Sequence, residues 1–588
     1  IKEVLIMSIV ERLTEGIVNR DLAKEGSALI GKWEQTGLLE GISDDNQRNG
    51  MARLLENQAK ELLRESSSMS AGDVEGFAAV AFPLVRRVFG SLIANDLVSV
   101  QPMSLPSGLI FFLDFTFGGE FPGNDANRLG YEIGTSVYGG GRVGAQITGG
   151  VNLAGANAEV GPYALNNGYS SPTGSLTLGT TLVASGTVGM GSLPDFTSQG
   201  GGATTGYDID RLLRFDPDLV SGAVFAVGTI DKATLEATQF NMDDLVALTQ
   251  APTLNVNTTM TRRLTRIDPT DSTKILITYV STTASSNTGP TFPNDIDQIG
   301  DALDGTGTFT GPIVDNFEQG AGLGSVEGTT EWGLEGEEGI PEIDIKVDSV
   351  AVTAITKKLK AKWTPELGQD LNAYHNLDAE VELTQILSEQ IALEIDREIL
   401  EDLVKDSAAG VRYWSRHPGQ FLDRETGAVS NVTQDFTGNV SEWYETLIET
   451  INDVSAQIHR KTLRGAANFV VTSPEIANIL EFTAGFRANV TADSDRGDAG
   501  AVKVGALSKK FDVIVDPYFP RNLLLVGRRG SSFLESGYVY APYVPLQTTP
   551  TIFGVEDFVP RKGVMTRYAK KMVRPDMYGL VICRGLEG

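Results

Sequence analysis

Between Leu377 and Leu400 the chain reads LDAEVELTQILSEQIALEIDREIL, and seven of its residues are carboxylates: Asp378, Glu380, Glu382, Glu389, Glu394, Asp396 and Glu398. Acids at this density can cage a metal ion, work as a general acid and base, or form the polar side of an amphipathic helix. A di-iron bundle needs Glu-x-x-His pairs on facing helices. The histidines are His375, His417 and His459, and none has a Glu three residues before it. HExxH and EF-hand patterns do not occur either. Glu394 and Glu398 stand one turn apart and share a helix face, but Arg397 follows Glu394 by three residues, placed to offset part of that charge. Leu383, Leu387, Ile391, Ile395 and Ile399 recur every four positions, and Ile386, Leu400 and Leu403 widen the stripe. The acids fill the remaining arc, as on a helix with one face in a core and the other toward solvent or a partner.

Other motifs fare no better as chemistry. GGGRVG, Gly139 to Gly144, matches GxGxxG, but the segment after it is a poor helix, so it reads as a turn. Neither a GxxxxGK[ST] phosphate loop nor a GxSxG elbow is present. Arg496-Gly497-Asp498 spells RGD inside a polar loop, and His417 precedes Pro418 without a nucleophile in view. Arg528-Arg529 and Arg561-Lys562 are basic pairs near turns, suited to solvent or to a subunit contact. The sequence therefore assigns no catalytic residue, no cofactor and no metal.

The elements that must hold these residues belong to a large chain. Its 588 residues suffice for several domains, and 41% hydrophobic against 21% charged residues describes a folded protein. Acids outnumber bases 76 to 48, a formal charge of −28, which argues against a dedicated DNA reader. Cys583 is the single cysteine, so a disulfide framework and a Cys-based zinc site are excluded, in keeping with a reducing cytoplasm. No apolar run reaches the roughly 18 residues of a membrane span, and no membrane partner is expected. The opening IKEVLIMSIVERLTEG is too charged for a signal sequence.

Along the chain, RNGMARLLENQAKELLRES and FPLVRRVFGSLIANDL read as helices with narrow apolar stripes that must dock on a neighbour. GLIFFLDFTF is a β-prone run. From Gly118 to about residue 340 the chain is rich in Gly, Ser, Thr and Asn, with strand-like SLTLGTTLVASG and KILITYV. STTASSNTGPTFPNDIDQIGDALDGTGTFTG has little to bury and reads as loop. IDIKVDSV alternates Ile343, Ile345 and Val347 with Asp344, Lys346 and Asp348, the pattern of a half-buried strand. A helical zone runs from Thr364 to Lys405, and SEWYETLIETINDVSAQIHRKTLR keeps Trp443, Leu447, Ile451, Val454 and Ile458 on one face. In NFVVTSPEIANIL, Ser473 is an N-cap and Pro474 the first helical residue. FDVIVDP, NLLLVGRRG, SGYVYAPYVPL and YGLVICRG supply strands, so this half is α+β.

ITKKLKAKWTPELGQDLNAYHNLDAEVELTQILSEQIALEIDREIL closely resembles the signature region of major capsid proteins from T-even-type tailed bacteriophages. Lys358 to Ala361, Glu366 to Leu371, His375 to Ala379 and Glu394 to Glu398 fit it, with Glu366, Asp370, His375, Asp378, Glu394, Arg397 and Glu398 as its signature residues. VRRVFGSLIANDLVSVQPMSLPSGLIFFL, YVYAPYVPL and VMTRYAKK are similar to three further family segments, in the same order. The resemblance implies an α+β fold of the Hong Kong 97 type, with N-arm, extended loop, peripheral domain with a long spine helix, axial domain and here a β-rich insertion. On it, residues 1–70 are an N-terminal helical arm, 71–118 the N-arm helix and the lead into the extended loop, and 119–340 the extended loop with the Gly/Thr-rich insertion. Residues 341–440 become the peripheral domain with its spine helix, 441–535 the axial domain, and 536–588 return strands of the peripheral domain.

The implied function is structural: a major capsid protein, in the virion, assembled in the host bacterial cytoplasm into an icosahedral shell around double-stranded DNA. Its partners would be itself as hexamers and pentamers, other head proteins (vertex, decoration, portal, scaffold and a maturation protease) and DNA by non-specific proximity. A pentameric vertex paralogue shares the fold, and a carboxylate-helix metalloenzyme is the alternative of another class. Family precursors lose an N-terminal peptide after Glu in an Ile/Leu-x-Glu pattern. Leu38-Leu39-Glu40 before Gly41 fits, and Leu63-Arg64-Glu65 before Ser66 fits less well. With Ile1 as the first residue, residues 1–70 are expected to persist as an arm on the shell. Intact-mass measurement of assembled particles should then show them retained, and a chain starting at Gly41 or Ser66 would overturn this.

Overall fold

The computed structural model describes residues 22–40, 42, 45–66, 92–103, 105–117, 173–188, 196–197, 213–214, 216, 224–237, 240–250, 258–281, 305–312, 343–429, 436–488, 502–530, 535 and 537–586. The elements used below are, in chain order, helices α1 (Leu22–Glu34), α2 (Asp45–Ser66) and α3 (Ala94–Leu97), then strands β1 (Ser107–Phe117), β2 (Ile343–Thr353) and β3 (Ile355–Lys362). Helices α4 (Pro365–His375), α5 (Ala379–Lys405) and α6 (Val440–Thr462) follow, and then strands β4 (Tyr538–Thr548) and β5 (Pro560–Met572). GGGRVG and the RGD triplet lie outside the described residues, as do Gly41 and the segment VRRVFG. Among the described residues no helix is long and apolar enough to cross a membrane.

The long helix α5 lies on a five-stranded sheet ordered Ser99–Val100, β4, β5, β3, with Ile552–Phe553 paired to β5. Leu387, Ile391, Ile395, Ile399, Leu400 and Leu403 are buried against Tyr538, Tyr540, Val564, Tyr568 and Met572 of that sheet. The four-residue repeat therefore identifies the core face. Ile386 departs from expectation: it is 51% exposed, outside the stripe it was expected to widen. Trp33 of α1 and Met51, Leu54 and Leu55 of α2 enter the same core, which supplies the neighbour that the narrow stripe of α2 requires.

A seven-stranded sheet runs Val411–Ser415, Tyr578–Arg584, Leu523–Gly527, Phe469–Thr472, Phe511–Val515, Val502–Leu507, Phe486–Ala488. Its central strands Phe469–Thr472 and Leu523–Gly527 bury both faces, and so their apolar runs are continuous. Phe469, Val471 and Leu525 point to the α5 core, whereas Val470, Leu524 and Val526 join a second core under Trp443, Leu447, Ile451, Val454 and Ile458 of α6. An Asn439–Glu442 capping box starts α6. The closing strand Tyr578–Arg584, placed by the sequence reading with the return strands of 536–588, pairs instead with Leu523–Gly527 and Val411–Ser415. Its Val581 and Cys583 belong under α6, and Gly579 permits the approach: a Cβ there would meet Val454 Cγ1 at 2.5 Å. Ser473 caps by position only, since its hydroxyl donates to the Arg521 carbonyl at 3.0 Å.

β1 and β2 form a two-stranded antiparallel ribbon over eleven residue pairs, from Ser107↔Thr353 to Phe117↔Ile343. The strand prediction at Ile343 holds, but its half-burial does not: Ile343, Ile345 and Val347 are 58%, 65% and 59% exposed. Period-two alternation assigns residues to faces, and a two-stranded ribbon offers neither face a second layer. Between these strands in sequence lies an eight-stranded sheet, ordered Thr249–Gln250, Gly305–Pro312, Thr173–Val188, Val224–Asp231, Lys274–Ser281, Thr258–Met260, with two short flanking strands. DGTGTFTG, read as loop, contributes the strand Gly305–Pro312 there. It pairs with Thr173–Val188 and buries Phe309 completely.

One half-buried carboxylate ties the N-terminal part to α5. Asp396 Oδ2 and Oδ1 accept the backbone N–H groups of Ile93 and Ala94 at 3.3 Å each, at the start of α3. Enclosure and the nearby Asp516 push its carboxyl up to about 7, although the two N–H donors favour the ion. An unfolded Asp titrates near 3.9, so between about pH 4 and 7 the folded state holds a proton the unfolded state has lost. Rising pH therefore destabilises the fold across that window, by on the order of 4 kcal/mol in all. Asp396→Asn should melt with a shallower decline from pH 5 to 7.5 than the parent, and equal slopes would contradict this. Ile391, 1% exposed, gives the corresponding test of the stripe. Ile391→Asp should cost about 3–5 kcal/mol, read as loss of cooperative folding or a large drop in melting temperature.

Candidate functional site

The carboxylate helix begins after a break. Thr364 Oγ1 accepts the Leu367 N–H at 3.3 Å to start α4 behind Pro365, and Asn376, at φ 55°, ends it in the left-handed region. Asp378 then caps α5, its Oδ1 accepting the Glu380 N–H at 2.9 Å. The single helical zone read from Thr364 to Lys405 is thus two helices, because Asn and Asp side chains offer the backbone an alternative to helix.

Four of the eight acids on α5 face the protein's own lysines. Lys570 Nζ lies 2.7 Å from both Glu398 Oε1 and Asp402 Oδ2. Lys357 Nζ lies 3.0 Å from Glu394 Oε1 and 3.5 Å from Glu398 Oε2, and Lys562 Nζ 2.7 Å from Glu380 Oε1. The Tyr568 hydroxyl donates to Glu398, and the Tyr538 hydroxyl donates to Asp402 at 2.7 Å. Burial opposes ionisation of Glu398, but hydrogen bonds from Lys570 and Tyr568 outweigh it and hold the carboxyl below its ordinary value. Glu380 follows the same pattern, with Lys562 and Thr551 outweighing burial. Burial of Lys570 is likewise overcome by Asp402 and Glu398, which raise it. Chemically this is a charge-balanced seam between helix and sheet. An ammonium already occupies the place between Glu398 and Asp402 that a shared metal ion would need. Among the described residues no group of His, Cys, Asp and Glu is arranged to hold a metal.

The expected arc of solvent-facing acids is therefore corrected: Glu380, Glu394 and Glu398 pair with the sheet, Asp378 caps and Asp396 is enclosed. Glu389 accepts from Gln385 Nε2 at 3.2 Å along the helix, and Glu382 is exposed. Arg397, expected to offset Glu394, instead stacks its guanidinium 4.2 Å from the Tyr518 ring centroid, leaving Lys357 to meet Glu394. Glu366, Asp370 and His375 are exposed on α4 and do not gather with the seam. Glu40 ends a turn, and Glu65 and Ser66 end α2. Lys562, read from sequence as half of a basic pair suited to solvent or a subunit contact, meets Glu380 of its own chain instead, and Lys357, Lys570, Asp402, Tyr538 and Tyr568 were not singled out from sequence. Their signal was strand alternation: Lys562, Val564, Thr566, Tyr568 and Lys570 share one face of β5, and Lys357, Leu359 and Ala361 one face of β3.

This arrangement can be set beside known proteins. The model of the family Major capsid protein Gp23 matches residues 74–209 and 221–585. The major capsid protein of Vibrio phage KVP40 is 29% identical over 236 residues, 39% of this chain and 45% of that protein. That of Enterobacteria phage T4 is 29% identical over 239 residues, 39% of this chain and 44% of that protein. The aligned stretch thus spans less than half of either relative. Among solved structures, a chain from Mycobacterium phage Adephagia aligns with a TM-score of 0.29 and 10% identity, covering 44% of this chain and 80% of that one. One from the capsid of Myoviridae phage XM1 gives 0.26 and 10%, covering 41% and 78%. With the family model spanning most of its length, the chain belongs to the family of the Major capsid protein Gp23.

Proposed function

We propose that this protein is a major capsid protein that self-assembles into the icosahedral head shell of a tailed bacteriophage and encloses double-stranded DNA. Family membership and relatives named as major capsid proteins support the reading. The observation that carries it is apolar surface that the single chain leaves uncovered. Helix α4 buries none of its residues, and Leu367, Tyr374, Leu377, Val381 and Ile386 are exposed along α4 and the start of α5. Ile552, Phe553, Val555 and Phe558 are exposed between β4 and β5, in addition to the open ribbon at Ile343, Ile345 and Val347. Patches of this kind mark contact surfaces, and repeated modest contacts make a closed assembly stable.

In this reading the fold is of the Hong Kong 97 type. Helix α5 is the spine, the β1–β2 ribbon the extended loop, the seven-stranded sheet with α6 the axial domain, and the eight-stranded sheet the insertion. The role is structural, in the virion capsid, after assembly in the host cytoplasm as hexamers and pentamers alongside other head proteins. The lysine–carboxylate seam keeps the spine on its sheet. Electron microscopy of the expressed chain should show shells, tubes or hexameric capsomers. Isolated pentamers alone would give it the vertex position, and monomers alone would overturn a shell function. Tyr374→Lys, at a side chain 82% exposed, should melt like the parent yet lose assembled particles at least tenfold, and unchanged assembly would remove α4 from the contact.

A further inference from the structure

Cations gather where α5 and α6 end. Arg460 and Lys461 lie in the last turn of α6 and Arg464 just beyond it, while Arg528 follows the strand Leu523–Gly527 and Arg574 follows β5. Lys461 Nζ donates to the Ala408 carbonyl, just past α5, at 2.9 Å. Arg574 Nη2 donates to the Lys461 carbonyl at 3.2 Å, and Arg528 Nη1 to the Ala466 carbonyl at 3.1 Å. Part of this charge has a local use, because the carbonyls at a helix end are negative and cations there stabilise the helix. Two such ends amount to only about one negative charge. Among the described residues of these segments, Lys405 and Asp406 offset each other, Glu535 lies 3.5 Å from Arg528, and Asp576 is fully buried. Arg460 and Arg464 are exposed. A chain of net charge −28 thus carries a positive surface at this junction.

The chemistry of the patch indicates what it fits. Among the described residues of these segments no large apolar side chain is exposed, unlike α4 or the stretch from Ile552 to Phe558. Protein contacts are built around an apolar centre, whereas nucleic-acid contacts are polar and strongly positive. All of the cations but Lys461 are arginines, whose planar guanidinium matches two phosphate oxygens at once. We infer that the joined ends of α5 and α6 form a seat for the phosphate backbone of double-stranded DNA, with Arg460 and Arg464 as its outer contacts on a base held by Lys461, Arg528 and Arg574. The inference rests on the shell reading, in which a duplex is enclosed, and names where the subunit meets it. Such a seat reads no base sequence and weakens with salt. Each subunit contributes a weak contact, and repetition over a shell multiplies it.

The test is a titration of the full chain with a short labelled DNA duplex between about 50 and 200 mM salt. Binding is expected to fall steeply with salt. R460Q/R464Q is expected to melt like the parent, to bind about fivefold or more weakly at the lower salt, and to flatten the salt dependence by about two phosphate contacts. K358Q/K360Q/K362Q, on a separate basic surface, should bind like the parent. Absence of binding by the parent, unchanged binding by R460Q/R464Q, or an equal loss in K358Q/K360Q/K362Q would each overturn the inference. Loss of assembled particles by R460Q/R464Q with duplex binding intact would assign the patch to a subunit contact and overturn it too. Electron microscopy of the same samples separates the two readings. Patch-dependent binding by a chain that forms no shells would defeat the shell reading alone, and shells whose duplex binding ignores the patch would defeat this inference alone.

Discussion

The packing of α5 between two sheets is the constraint on which the rest of this molecule depends. Its apolar stripe, Leu387 through Leu403, meets Tyr538, Tyr540 and Tyr568 of the five-stranded sheet, and Phe469, Val471 and Leu525 of the seven-stranded sheet close the same core. Neither sheet could be displaced without opening that core. The N-terminal helices use it as well, through Trp33, Met51 and Leu55 and through the Asp396 carboxylate at the start of α3. One helix therefore integrates segments separated by several hundred residues.

Electrostatics refines what burial establishes. A helix with this many acids would repel itself along one side, and the lysines of β3 and β5 turn that liability into alignment between helix and sheet. The pairs are partly exposed and each contributes modestly. Their collective effect is orientational: Lys570 between Glu398 and Asp402, with Tyr538 and Tyr568 donating, admits one rotation and one axial position of the helix. The opposite face of the same strands carries the exposed Lys358, Lys360 and Lys362. Alternation along a strand is what allows one element to be internally neutral on one side and available on the other.

The uncovered apolar residues follow from architecture and not from disorder in the pattern. Among the described residues ribbon β1–β2 is a two-stranded sheet of its own, and α4 buries none of its residues. A chain that leaves these apolar residues exposed suits the proposed role in an assembly.

From sequence alone, periodicity determined the helices α2, α5 and α6, their core faces, and most strands of the second half, because local spacing of apolar residues is a local property. The absence of histidine partners also disposed of a di-iron reading without structure. Tertiary structure decided the rest. Whether Ile345 or Ile386 is covered depends on a layer that the strand or helix does not itself encode. Whether YGLVICRG pairs beside β5 or beside Leu523–Gly527 depends on long-range register, with Gly579 making room for Val454. Whether the acids of LDAEVELTQILSEQIALEIDREIL meet water or lysine depends on two strands, one of them about 170 residues away in the chain, and a strand's alternation becomes informative about a helix only when packing has fixed which face it turns toward it.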